Sequence, residues 1–239
     1  MKTQMNRDRT ASWLGFWDGP HPIYVNARHK DVHYRLIAQA VAKLVPGPSA
    51  HVLDYGSGEA LYADLVAAAA DELLLCEGAP NVRAGLAARF AGMTKIRVLK
   101  PDDVAHLPAH SLDLIMLHSV AQYLTPEELA KLLALFHRLL TAGGMLVVSD
   151  VIPSDVAAST DALALLRFGA ANGFFVAAVI GLVRTVLSDY WRLRTRYGLT
   201  RYGETAIMEK LATAEFFAQR AAQNIGHNQA RMAFMARPR

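Results

Sequence analysis

The stretch His51-Val52-Leu53-Asp54-Tyr55-Gly56-Ser57-Gly58-Glu59-Ala60 decides how the rest of the chain is read. A short apolar run ends in an acid and two closely spaced glycines, and an alanine- and leucine-rich helical segment follows. Glycines at such a turn let the backbone bend sharply and approach a ligand, because neither carries a Cβ. The start of the helix behind them favours negatively charged ligand groups. Glu77 closes the next apolar run, 23 residues beyond Asp54. A carboxylate at that place accepts hydrogen bonds from ribose hydroxyls, as acids do in doubly wound nucleoside-binding sheets.

Outward from this turn, apolar runs and helical runs alternate. The runs His51–Asp54, Leu73–Cys76, Ile96–Leu99, Leu112–Leu117 and Met145–Val148 read as strands, with helices at Ala60–Ala70, Pro80–Ala91 and Pro126–Leu140 between them. Continuous apolar strands separated by helices predict an α/β fold whose parallel sheet is covered on both faces. Residues 1–30 read as an N-terminal arm of short turns and 31–151 as the core, which opens with a helix at Asp31–Leu44. Residues 152–203 break the alternation and read as an apolar, then basic, helical insertion. A last helix and two strands joined by a loop of about five residues complete the core over 204–239.

Spacing separates two nucleoside-binding patterns. The dinucleotide fingerprint requires a small residue at position 61, where Leu61 stands; here Ala60 comes one place earlier, giving D-x-G-x-G-x-A. This pattern resembles the first motif of class I S-adenosylmethionine-dependent methyltransferases of the small-molecule, type 11-like group. Cys76-Glu77-Gly78, Asp103-Val104 before Leu107-Pro108, Ser111-Leu112-Asp113-Leu114-Ile115, His118-Ser119, and Leu139-Leu140 with Gly143-Gly144-Met145-Leu146 match that group's later motifs in order. The resemblance spans roughly residues 34–153 plus the final hairpin. It implies a Rossmann-like sheet with a C-terminal antiparallel hairpin and a helical lid after the fifth strand. It also implies S-adenosyl-L-methionine as cofactor, held by Asp54, Tyr55, Gly56, Ser57, Gly58, Glu77, Gly78, Asp103, Val104, His118 and Ser119. His118 is at the same time the candidate catalytic residue.

In the same family the segment before the first strand closes over the cofactor's amino-acid end, which nominates Tyr24, Arg28, His29 and Tyr34. Phe174, Phe175, Tyr197 and Tyr202 of the insertion are the further candidates for an acceptor pocket or lid. The signature of nucleobase amino-methylation does not follow the fourth strand, and Cys76 is misplaced for a C5-methylating nucleophile. Both points argue against those two nucleic-acid chemistries, and the apolar insertion points to a small, apolar or amphiphilic acceptor, a lipid-like one included. A nucleic-acid methyltransferase, suggested by the arginines of the basic C-terminal third, and a methyltransferase-like module that binds without turnover are the alternatives. No carboxylate cluster suggests a metal.

Charge and composition bound the remaining possibilities. The chain has 239 residues, 53% hydrophobic and 19% charged, ample for a folded core. With Cys76 as the only cysteine, no internal disulfide can form. Met1, Lys2, Arg7 and Arg9 are not followed by an apolar stretch, so a cytoplasmic setting is expected. The net charge of +4 divides into −1 over residues 1–150 and +5 over 151–239. Phe168 to Val183 is 16 residues without a charge, short of the roughly 20 that a bilayer span requires. Beyond it, Tyr190, Trp191, Arg192, Arg194, Arg196, Tyr197, Arg201 and Tyr202 interleave aromatic rings with arginines. The apolar segment is expected to roof the acceptor pocket, with a second copy of the chain or a membrane surface as alternative partners.

Overall fold

The apolar runs form strands buried on both sides. A computed structural model describes the backbone of residues 2–21 and 23–239, with side chains except at positions 2–7, 10, 158, 186 and 189–191. Strands β1 (His51–Tyr55), β2 (Glu72–Cys76), β3 (Ile96–Leu99), β4 (Leu112–His118), β5 (Leu140–Val151), β6 (Phe216–Arg220) and β7 (Met232–Pro238) form one sheet in the order β3-β2-β1-β4-β5-β7-β6. The first five are parallel, and β7 pairs antiparallel with both β5 and β6. Alternation along each strand feeds two cores. Leu53, Ile115 and Leu117 pack on one face with Phe136, while Val52, Leu114 and Met116 pack on the other with Leu86 and Phe90.

Helix α1 covers Lys2–Trp17, α2 Ala27–Ala42, α3 Ala63–Ala69, α4 Pro80–Phe90, α5 Pro101–Ala105 and α6 Pro126–Leu139. The start of α6 shows how sequence sets a boundary. Thr125 Oγ1 accepts from the Glu128 N–H and Glu128 Oε2 accepts from the Thr125 N–H, with Pro126 at the first helical position. The apolar face Leu129, Leu132, Leu133, Phe136 and Leu139 then lies against the sheet. The insertion consists of α7 (Ala158–Asn172), α8 (Phe175–Val186) and α9 (Asp189–Tyr197), after which α10 (Glu204–Thr213) leads into the hairpin.

Several boundaries differ from the sequence reading, among them the start of α3 at Ala63 rather than Ala60. The N-terminal arm is helical rather than a set of turns, and α2 begins at Ala27 because the Asn26 side chain accepts the His29 N–H. β5 runs through Gly143 and Gly144, since a register shift between Leu112 and Leu114 accommodates the extra residues against β4. The hairpin loop is longer than expected, occupying 221–231, and is pinned by its own side chains: Asn224 Nδ2 donates to the Asn228 carbonyl and Gln229 Nε2 to the Gly226 carbonyl.

Candidate functional site

The turn after β1 is built from close contacts that only glycine permits. Gly56 and Gly58 lie at φ +78° and +58°; a Cβ at Gly56 would fall 2.4 Å from Val120 Cγ2, and one at Gly58 2.8 Å from the Tyr34 hydroxyl. The Gly56 and Ser57 N–H groups donate to the Cys76 carbonyl at 2.8 and 3.1 Å, tying the turn to the end of β2. Glu77 is 8% exposed and its carboxylate clasps both ends of this corner, accepting from the Gly58 N–H at 2.9 Å and the Ala79 N–H at 2.8 Å. The Tyr34 hydroxyl accepts from the Glu59 N–H at 3.0 Å. Burial, with Glu77 beside it, pushes the Asp54 carboxyl up to about 7.

Helix α1 lies across this corner. Trp13, 2% exposed, packs on Tyr123 with ring centroids 4.8 Å apart, and Leu14 reaches the open face of Gly78. Arg9 donates to the Gln122 carbonyl and to Thr200 Oγ1, and both Asp18 carboxylate oxygens accept from Asn81. Asp103 caps its own helix, with Oδ2 accepting from the Lys100 N–H, and Val104 is fully buried in the core.

A second group of side chains gathers beyond the ends of β4 and β5. His118 Nδ1 lies 2.9 Å from Ser149 Oγ, while Nε2 is closed off from solvent without a hydrogen-bond partner among the described residues. His29 and His33, one turn apart on α2, face His227 of the hairpin loop, with the three ring centroids 6.0–6.2 Å apart. Phe174 stacks on His29 at 4.9 Å and Phe168 on His227 at 4.5 Å. Burial lowers the pKa of all four histidines, to about 4 for His29 and about 3 for His33. They are neutral imidazoles at physiological pH.

Next to the rings, Ser119 (φ +56°) donates from Oγ to Asp150 (φ +60°), two non-glycine residues held in left-handed backbone at adjacent strand ends. Arg231 bridges Asp150 and Asp161 at 3.1 Å each, and Asn224 Nδ2 donates to Asp150. Burial opposes ionisation of Asp150, but the Arg231 guanidinium beside it and hydrogen bonds from Ser119 and Asn224 help hold its carboxyl below the ordinary carboxylate range. A cleft of about 370 Å³ opens beside this group between α2, α7 and the hairpin loop, lined by Leu36, Leu163, Ala164, Arg167, Phe168 and His227 among others.

The structure therefore brings together Asp54, Tyr55, Gly56, Ser57, Gly58, Glu77 and Gly78 at one corner, with Tyr34 over it. It places His29, His118, Ser119 and Phe174 at the other, and Tyr24 packs on Tyr34, His29 and His33 between the two. Other candidates stand elsewhere. Arg28 is exposed, pairing with Asp31 and donating to the Asn172 carbonyl, because it lies on the solvent side of α2. Phe175 is 48% exposed on the outside of α8, since Phe174 takes the inward position. Tyr202 is a core residue whose backbone joins Ile152 and Pro153, and Tyr197 meets Ser12 of α1. The side chains of Tyr190 and Trp191 lie outside the described residues. Sequence reading did not select His227, Ser149 or Arg231; the i, i+4 pair His29 and His33 was the one local signal of the histidine group.

Residues 53–148 match the family described as a methyltransferase domain, of the type 11 group. Over those residues the chain is similar to class I S-adenosylmethionine-dependent methyltransferases. No curated protein sequence matches it. Among solved structures it resembles magnesium protoporphyrin IX methyltransferase of Synechocystis PCC 6803, at 17% identity and a TM-score of 0.59 over 96% of this chain and 94% of that one. It also resembles phosphoethanolamine N-methyltransferase 1 of Haemonchus contortus (20%, 0.52, 68% of this chain and 40% of that one). A third likeness is to a possible exported protein of Bordetella parapertussis (15%, 0.56, 86% and 66%). The chain thus spans under two thirds of the last two. These likenesses are of fold. Among the described residues no helix is long and apolar enough to cross a membrane, and no three His, Cys, Asp or Glu side chains are placed to hold a metal ion.

Proposed function

We propose that this chain transfers a methyl group from S-adenosylmethionine to a small, apolar or amphiphilic acceptor, with His118 taking the acceptor's proton. The observation that carries the reading is the neutral His118 ring at the end of β4. With its proton on Nδ1 toward Ser149, the lone pair of Nε2 has no partner among the described residues. S-adenosylmethionine, when bound, supplies a methyl group activated by its sulfonium. The residues present suit it: Gly56 and Gly58 leave a cradle that any Cβ would fill, and each Glu77 oxygen keeps a lone pair for a ribose hydroxyl. Asp54 offers a carboxyl that a cationic ligand would ionise. Gly78, beneath Leu14, and the start of α5 at Asp103 border the adenine side, although Val104 contributes through packing only.

Positioning and one proton acceptor are what this chain has to provide for such a reaction. Tyr24 and Tyr34 pack on each other, and Phe174 on His29, between the two corners. The 370 Å³ cleft has the size of a small-molecule site, and its apolar lining with Arg167 at the side fits an amphiphile bearing an anionic group. Extracts incubated with methyl-labelled cofactor test the reading. Label should enter a small molecule, and His118→Gln should lower the rate by about 10²–10⁴-fold while calorimetric cofactor affinity stays unchanged. The parent enzyme's acid limb should fall below pH 6.5, because burial lowers the His118 pKa, and the variant should lose that limb. Labelling equal in parent and variant would remove His118 as the base. Cofactor binding with no product across all extracts would leave a binding module instead.

A further inference from the structure

We propose that the outer face of α8 docks on an anionic lipid surface. Helix α8 is held from inside: Phe174 at its start is buried on His29, Ala178 is fully buried, and Gly181 abuts Val25, whose Cγ1 a Cβ there would overlap. At 100° per residue these positions share one side of the helix. The opposite half presents Phe175, Val176, Val179, Ile180, Val183 and, just past the helix, Leu187. Val176 is 71% exposed, Val183 61% and Leu187 80%. Half of all the large exposed apolar side chains among the described residues thus lie within 13 consecutive positions. A face of this kind on a folded chain marks an interaction surface.

Charge selects the occupant. Between Asp161 and Asp189 there is no acidic residue, and Arg184 flanks the apolar arc on the helix itself. Arg167 is exposed on α7, and Arg194 and Arg196 follow in the last turn of α9. An apolar helix face with an arginine at its flank, no carboxylate on its own helix and further arginines on the helices before and after it is the pattern of helices that lie in the headgroup plane of an anionic bilayer. A second copy of this chain would set the same arginines against one another across a two-fold interface. α8 has 12 residues, too short to span a bilayer, so it would lie in the surface rather than cross it.

Flotation of the full chain with vesicles tests this without cofactor or acceptor, so failure here leaves the methyl-transfer reading standing. The protein should float with phosphatidylcholine–phosphatidylglycerol vesicles and, on the order of tenfold more weakly, with phosphatidylcholine alone. Val176→Asp with Val183→Asp should cut binding on the order of tenfold while the unfolding midpoint holds, since both side chains are exposed. Arg184→Glu with Arg196→Glu should abolish the preference for anionic vesicles. Absence of vesicle binding, or binding equal in the aspartate variant, would overturn the proposal. So would a parent dimer in sedimentation that the aspartate variant converts to monomer, which would assign the face to a second copy.

Discussion

The two corners of the site are made in different ways. The glycine turn draws on residues 54–60 and 76–79, is held by backbone hydrogen bonds and one carboxylate, and would exist wherever β1 and β2 lie side by side. The histidine group draws on α2, the ends of β4 and β5, α7 and the hairpin loop, and exists only when all of these have docked. A corner made locally depends on few other parts of the chain. One made from distant segments can be reshaped by changing an insertion or a loop, leaving the glycine turn untouched.

The hardest blow to the local corner is a methyl group. Gly56→Ala puts a Cβ into left-handed backbone and into Val120 Cγ2, a combination expected to cost about 2–4 kcal/mol of stability. Urea unfolding measures the loss, and calorimetry should find cofactor binding gone in whatever remains folded. A stable variant that still binds would mean the turn has slack the structure does not show. Glu77→Gln is milder. It keeps the shape but weakens the charge-assisted hydrogen bonds, so cofactor affinity should fall by about 1.5–3 kcal/mol. Unchanged affinity would separate Glu77 from the ribose role.

The same contrast explains what could be read from the sequence. The parallel sheet, the closing hairpin and the first corner were legible because each depends on patterns within about 25 residues: apolar runs, two glycines, an acid at a strand end. The second corner was not. His227 lies in a loop with no periodic pattern, and Arg231 gains its meaning from Asp150 and Asp161, each at least 70 residues away. Ser119 and Asp150 carry left-handed backbone that no propensity foretells. The helical α1 escaped notice because its apolar residues follow no 3.6-residue period; Trp13 and Trp17 anchor it through Tyr123 of a distant segment instead.

Acid should distinguish the corners by slope. His33 has a folded pKa of about 3 against about 6.5 in the unfolded chain. The folded form therefore binds fewer protons, and the stability this group contributes is complete above pH 6.5 and declines as pH falls toward 3. The expected slope is about 1.4 kcal/mol per pH unit between those limits, with His29 adding a similar slope down to about pH 4. His33→Gln should flatten the acid limb of a stability-versus-pH curve by one such slope. An unaltered curve would mean that the ring is protonated or exposed in the folded protein.

The smallest effect belongs to a residue that sequence alone placed in the pocket. Arg28 shares α2 with His29 and His33, but it points away from them, beside Asp31 at 3.5 Å with more than half of its side chain in water. An exposed pair of this kind contributes about 0.5 kcal/mol or less, because solvent screens it and holding two long side chains costs entropy. Its remaining bond, to the Asn172 carbonyl, links α2 to the end of α7 at the surface. Arg28→Ala should therefore leave cofactor affinity unchanged and shift the unfolding free energy by no more than about 1 kcal/mol. A tenfold loss of cofactor affinity would return this guanidinium to the site and require α2 to rotate when the cofactor binds. The two corners would then be mechanically joined through that helix, which also carries Tyr34 over the glycine turn.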